Sequence, residues 1–150
     1  MSLSTLRATL NDLGGLRVRD VWWMAQILGM LAVFPVLNRL LALPKLVSLF
    51  DTEPGPTKAG VADRDRLLRL MGGLLRRTLE RDYCLPRSLI LFRFYRKWGF
   101  PTRIHMGLAK QGDHAVGHAW ISLAGEPFAE QKNPEDLFVP FFAYPQTEAA

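Results

Sequence analysis

The sequence predicts an α+β domain in which helices come first and an antiparallel sheet follows. Three observations carry this. Apolar residues recur at three-to-four spacing between 63 and 98, they alternate one by one from 101 to 130, and glycine-bearing turns separate the alternating runs. A chain of 150 residues is one domain and buries roughly 70% of its unfolded surface. It needs neither disulfide nor metal to hold a core.

In chain order, Leu6, Leu10 and Leu13 are compatible with a short helix from Ser4 or Thr5, which Gly14–Gly15 ends. Leu16 to Val18 reads as a brief extended segment. From Val21 to Phe50 the chain is helical and very apolar. Asp20 is the expected N-cap, and Pro35 and Pro44 are expected to break the run into two or three pieces. Val21 to Leu37 is 17 residues with only Gln26 polar, at the lower edge of membrane-spanning length. A helical hairpin buried or covered by a partner is the favoured reading, with peripheral membrane contact and a true span as the others. Trp22 and Trp23 fit a partner or substrate contact or an interfacial anchor. Residues 51–60 are a linker, with Pro54-Gly55-Pro56 barring regular structure. Residues 1–58 are therefore read as a helical N-terminal region, a docking surface, and 59–150 as the core.

Asp63 to Glu80 is helix-like, and its Gly72-Gly73 either weakens it or marks a close helix crossing. A second helix is expected from Asp82, its cap, to Gly99 and Pro101. Ile104, Met106 and Leu108 share one face of a strand, and a turn follows at 110–113. His118, Trp120 and Ser122 then share a face of the next strand. A hairpin turn at 124–127 leads to Phe128 and Glu130 on a third. The tail to Tyr144 packs on the core or lines a groove.

The net charge of +5 favours acidic partners, whether a protein surface, a precursor peptide or anionic lipid. Nucleic acid is not expected, since no lysine/arginine run is dense enough. A single cysteine excludes an internal disulfide and fits a reducing compartment. With no signal-peptide pattern, a cytoplasmic location is expected, with membrane association as the other expectation.

That cysteine, Cys84, falls in the first turn of the expected helix. Unpaired amides and the helix dipole there favour thiolate over thiol, and the Cys84 backbone N–H is a candidate oxyanion donor. His118 can serve as base, and Glu130, twelve positions on, as the carboxylate that orients it. His105 and His114 compete for the base role. No short-range ligand pair suggests a metal, and no cofactor is expected. Arg87, Arg103 and Trp120 are candidate substrate or partner contacts.

The run Cys84-Leu85-Pro86-Arg87-Ser88-Leu89, the IHMG of Ile104 to Gly107, and His118-Ala119-Trp120 followed by the Gly125 turn resemble the lasso-peptide maturation protease, the B2 protein of the transglutaminase-like superfamily. The resemblance covers about residues 60–145. It implies a papain-like cysteine protease core with Cys84 as nucleophile and His118 as base. The third member is usually an aspartate in that family, and here it is Glu130. It further implies a leader peptide on a ribosomal precursor as substrate, a small leader-recognition protein, and a macrolactam-forming cyclase as partners. Two alternatives stand beside it: a cysteine acyl transferase on the same fold, and a non-catalytic adaptor that grips leader or cyclase.

Overall fold

The computed structural model describes residues 15–56, 59–78 and 83–146. The expected helix over Leu6 to Leu13 and the expected cap Asp82 lie outside the described residues. Helix α1 spans Val18–Leu40, so Val18 is helical rather than extended. Asp20 is not its cap. Arg17 holds that position, and the Asp20 carboxylate, one turn in, accepts the Arg17 backbone N–H at 2.7 Å.

The helix continues unbroken through Pro35. An interior proline costs about 3 kcal/mol, and burial of a large apolar side chain contributes about 1.5–3 kcal/mol. Trp23, Ile27 and Leu31, buried at four-residue spacing, outweigh the proline together. The break falls at Leu41–Ala42, and Pro44 lies in the first turn of α2 (Leu43–Phe50), where no N–H is missed. The adjacent tryptophans part. Trp23 packs edge-on against Phe94, while Trp22 is exposed. Helix α1 is long and apolar enough to cross a membrane by length and composition, and 17% of its most apolar window is buried.

Helix α3 (Val61–Thr78) buries Leu67, Met71 and Leu75. Arg66 from α3 donates to the Asp20 carboxylate and to the Gly15 carbonyl, which pins the start of α1. The hydrogen-bonded Arg66 guanidinium, against the opposing effect of burial, holds the Asp20 carboxyl below its ordinary 3.8. A carboxyl depressed in the folded state contributes stability above its unfolded value and loses it as pH falls through the folded one. Acid unfolding below about pH 4 should therefore lose part of its steepness in Asp20→Asn, which circular dichroism titration will read. The central Gly72 and Gly73 have nothing within 4 Å of where a Cβ would stand, so no close crossing explains them. Gly72→Ala should raise stability by about 0.5–1 kcal/mol, measured by urea unfolding.

Helix α4 (Cys84–Lys97) is covered nearly all round, with Ser88 to Phe92 buried in succession. One side meets α1 and α2 through Trp23, Leu46, Val47 and Phe50, and the other meets the sheet through Ile104, Met106, Ala119 and Ile121. A single apolar cluster thus runs across position 58.

The sheet is antiparallel in the order β3-β2-β1-β4, with β1 Thr102–Gln111, β2 His114–Leu123, β3 Glu126–Phe128 and β4 Val139–Tyr144. β1 and β2 pair over ten residues each, closed by the two-residue turn Gly112–Asp113. The tail becomes a 3-10 turn at Pro134–Asp136 and then β4, paired to β1. Tyr144 Oη donates to Asp51 at 3.0 Å, and Asp51 also pairs with Arg96 at 2.7 Å, so the last strand is tied to the linker behind α2.

Candidate active site

Cys84 is the first residue of α4, after Tyr83 at the N-cap. The first intrahelical bond runs from the Arg87 N–H to the Tyr83 carbonyl. The amides of Cys84 and Leu85 therefore have no acceptor within the helix, and Pro86 has no N–H to strand. The thiol is free and half-buried. It lines a cavity of about 680 Å³ with Arg87, Gly117, His118, Glu130 and Phe138.

His118 and Glu130 are joined, with His118 Nε2 at 3.1 Å from Glu130 Oε2. Against an ionised carboxylate, which only accepts, Nε2 is the donor, and in the neutral ring Nδ1 then keeps its lone pair. Glu130 is not on a strand. β3 ends at Phe128, and Ala129 turns the chain with φ of 58°, a left-handed conformation that aims the next side chain back at the imidazole. The other Glu130 oxygen accepts from Arg87 Nη1 at 2.9 Å, and Arg87 also donates to the Ala129 carbonyl. Arg87 thus clamps the carboxylate and its backbone together. The glutamate is held at both oxygens, one by the imidazole and one by the guanidinium. No hydrogen bond joins the Cys84 thiol to the imidazole.

By strand alternation, His118 and Trp120 belong to the face turned away from α4. His118 meets Cys84 and Arg87 at a common cavity because β3 stops short and leaves β2 uncovered there. The His118 ring lies between Trp120, at 6.0 Å and 16°, and Phe138, at 5.1 Å and 29°. These flat contacts hold the ring plane without using its nitrogens.

Gly107 makes that stack possible. It pairs across the ladder with His118, and a Cβ there would stand 2.9 Å from Phe138 Cβ and 3.1 Å from both the Trp120 ring and the Val139 carbonyl. Gly107→Ala should destabilise the protein by about 1–3 kcal/mol and slow alkylation of Cys84 by iodoacetamide, read by thermal unfolding and by mass.

Other expectations move. Trp120 is 0% exposed, so it presents no surface to substrate and supports the imidazole instead. Trp23 is likewise taken by the core and Trp22 lies on α1, so neither lines the cavity. Arg103 donates to the Pro145 carbonyl and is also outside the lining. His105 does not lie on an open face: it stacks on Trp120 at 5.5 Å and shares a 2.7 Å hydrogen bond with Ser122. Burial first, and Arg103 second, push its pKa below the ordinary value. His114 lies exposed where β2 leaves the hairpin turn. Among the described residues no three histidine, cysteine or carboxylate side chains converge as metal ligands.

The tail lines the cavity through Leu137 and Phe138, one of the two expected outcomes, but sequence reading missed the stacking of Phe138 on His118 and the Arg87–Glu130 pair. A proline-studded aromatic tail signals packing without saying against what, and a pair 43 positions apart leaves no local pattern.

No curated protein and no solved structure matches the chain. A family model described as transglutaminase-like superfamily matches residues 30–143, which takes in the second half of α1, the cysteine-bearing helix and nearly all of the sheet. The match covers well over half of the chain and contains every residue of the cavity, and on that ground the protein belongs to the transglutaminase-like superfamily.

Proposed function

We propose that the chain is a papain-like cysteine peptidase that removes the leader from a ribosomally made lasso-peptide precursor. What supports this reading above all is the His118–Glu130 pair on the wall of a cavity that also exposes a helix-start thiol. The lasso assignment rests on the resemblance of the CLPRSL, IHMG and HAW runs, and membership of the superfamily agrees with it.

In this mechanism the thiol proton passes to His118 Nδ1 as Sγ attacks the carbonyl carbon of the scissile amide. The oxyanion forms next to the Cys84 N–H, at a helix start where the dipole favours negative charge. Collapse breaks the C–N bond, and the leaving amine takes its proton from His118. Water then gives a proton to the imidazole, attacks the thioester and releases the leader as a carboxylic acid. Throughout, Glu130 holds the ring and balances the imidazolium. Hydrogen bonds of this kind are often long in free sites and tighten in the complex.

The test is incubation of the purified chain with the encoded precursor peptide and the small recognition protein, with products weighed by mass spectrometry. Expected are two fragments whose masses sum to precursor plus water, and none after alkylation of Cys84. Undiminished cleavage by the alkylated chain would overturn the reading. A fragment coupled to an added amine would point to acyl transfer.

A further inference from the structure

The edge of β2 beside the cavity is unfilled. β1 pairs with β2 along its whole length, whereas β3 covers only Ile121 to Leu123. The direction of the exposed backbone groups follows from the β2–β3 hairpin. Its two-residue turn, Ala124–Gly125, makes Leu123 and Glu126 the hydrogen-bonded closing pair. Ser122 then faces Pro127 in a non-bonded pair, as a residue without N–H requires. Odd-numbered residues of β2 therefore turn their N–H and C=O groups away from β1. The Ala119 carbonyl agrees, since it accepts the Ser88 hydroxyl of α4 at 2.9 Å.

Beyond Ala119 no described residue takes these groups. Ala115 and Gly117 are exposed, and neither makes a backbone hydrogen bond outside the ladder. Both lack any side chain past Cβ, so a second backbone can approach. Gly117, with Val116 and His118, forms one wall of the cavity, and Tyr83, Cys84 and Arg87 form another. From 115 to 119 the edge is about 13 Å long. It carries neither lysine nor proline, the residues that usually guard a free edge.

We propose that the peptide substrate binds as an added β-strand on this edge, its backbone pairing with Gly117 and Ala115, which lays the scissile amide beside Cys84. The proposal rests on the peptidase reading and adds how the peptide is gripped. Main-chain pairing supplies affinity with little dependence on sequence. An extended peptide is favoured over a second copy of the chain because the edge is continuous with the cavity that holds thiol and imidazole.

Amide exchange by NMR on the full-length Cys84→Ala chain, with and without the encoded precursor peptide, tests it. Exchange at Gly117 and Ala115 should slow about tenfold or more with peptide, while Val116, already turned toward β1, should change little. Unchanged exchange at both amides, under conditions where the unsubstituted chain cleaves the peptide, overturns strand addition and leaves the peptidase reading standing. Protection without cleavage by the unsubstituted chain supports strand addition and removes the peptidase reading. Protection that appears on concentrating the protein alone, with a doubled mass in solution, overturns the proposal in favour of pairing between copies. As a second measurement, precursors N-methylated at single backbone amides should lose cleavage about tenfold at alternate positions. Equal tolerance at every position overturns the proposal.

Discussion

Replacing Cys84 by alanine is expected to lower leader cleavage by about ten-thousandfold or more, because every bond-making step passes through its sulfur. The fold should tolerate the change. Cys84 is only partly buried at the edge of the core cluster, and alanine removes one atom without stranding a polar partner. The variant should therefore unfold at nearly the same urea concentration, and it should still bind the precursor in a fluorescence titration. Binding kept and cleavage lost is the signature of a nucleophile. Equal cleavage by both proteins would leave the chain as an adaptor and reassign the reaction to a partner.

His118→Ala is expected to cut cleavage roughly a thousandfold and to slow alkylation of Cys84. The loss should exceed that of Glu130→Gln, since the amide keeps an acceptor but loses the charge that balances an imidazolium. Arg87 acts one step further out, through the second Glu130 oxygen and the Ala129 carbonyl. Arg87→Lys should recover part of what Arg87→Met loses, because a lysine keeps the charge without the two-pronged geometry. Stopped-flow cleavage and iodoacetamide kinetics across pH check the series. If His118→Ala kept both rates within about twofold, the histidine would be no more than a partner for Glu130.

The order of elements was legible because each half of the chain carries its own period: three-to-four spacing through Leu67, Met71 and Leu75, and alternation through Ile104 and Met106. Cys84 at a helix start and His118 on a strand came from the same patterns. Glu130 lies 3.1 Å from His118, yet strand pairing is not what brings it there. Extending β3 by two residues in the observed register would set Glu130 opposite Ala119, on the face turned toward α4, whereas the left-handed turn at Ala129 is what delivers it to His118. Non-glycine residues in that conformation give no warning in a sequence. Pro35 misled in the opposite direction, because local backbone cost is visible in a sequence and the burial that offsets it is not. Trp120 looked like a recognition residue since alternation assigns a face without telling whether anything covers it.

The apolar cluster that bridges position 58 has a bearing on how the molecule can be cut. Leu46, Val47 and Phe50 are sealed against the cysteine helix, and Asp51 is latched to Tyr144 and Arg96 on the far side of the chain. Excising everything before residue 59 would leave that helix with one flank bare to water and the closing strand without its latch. Proteolysis in the 52–60 segment is thus a nick the fold can survive while both pieces stay together, and a lethal one when they separate.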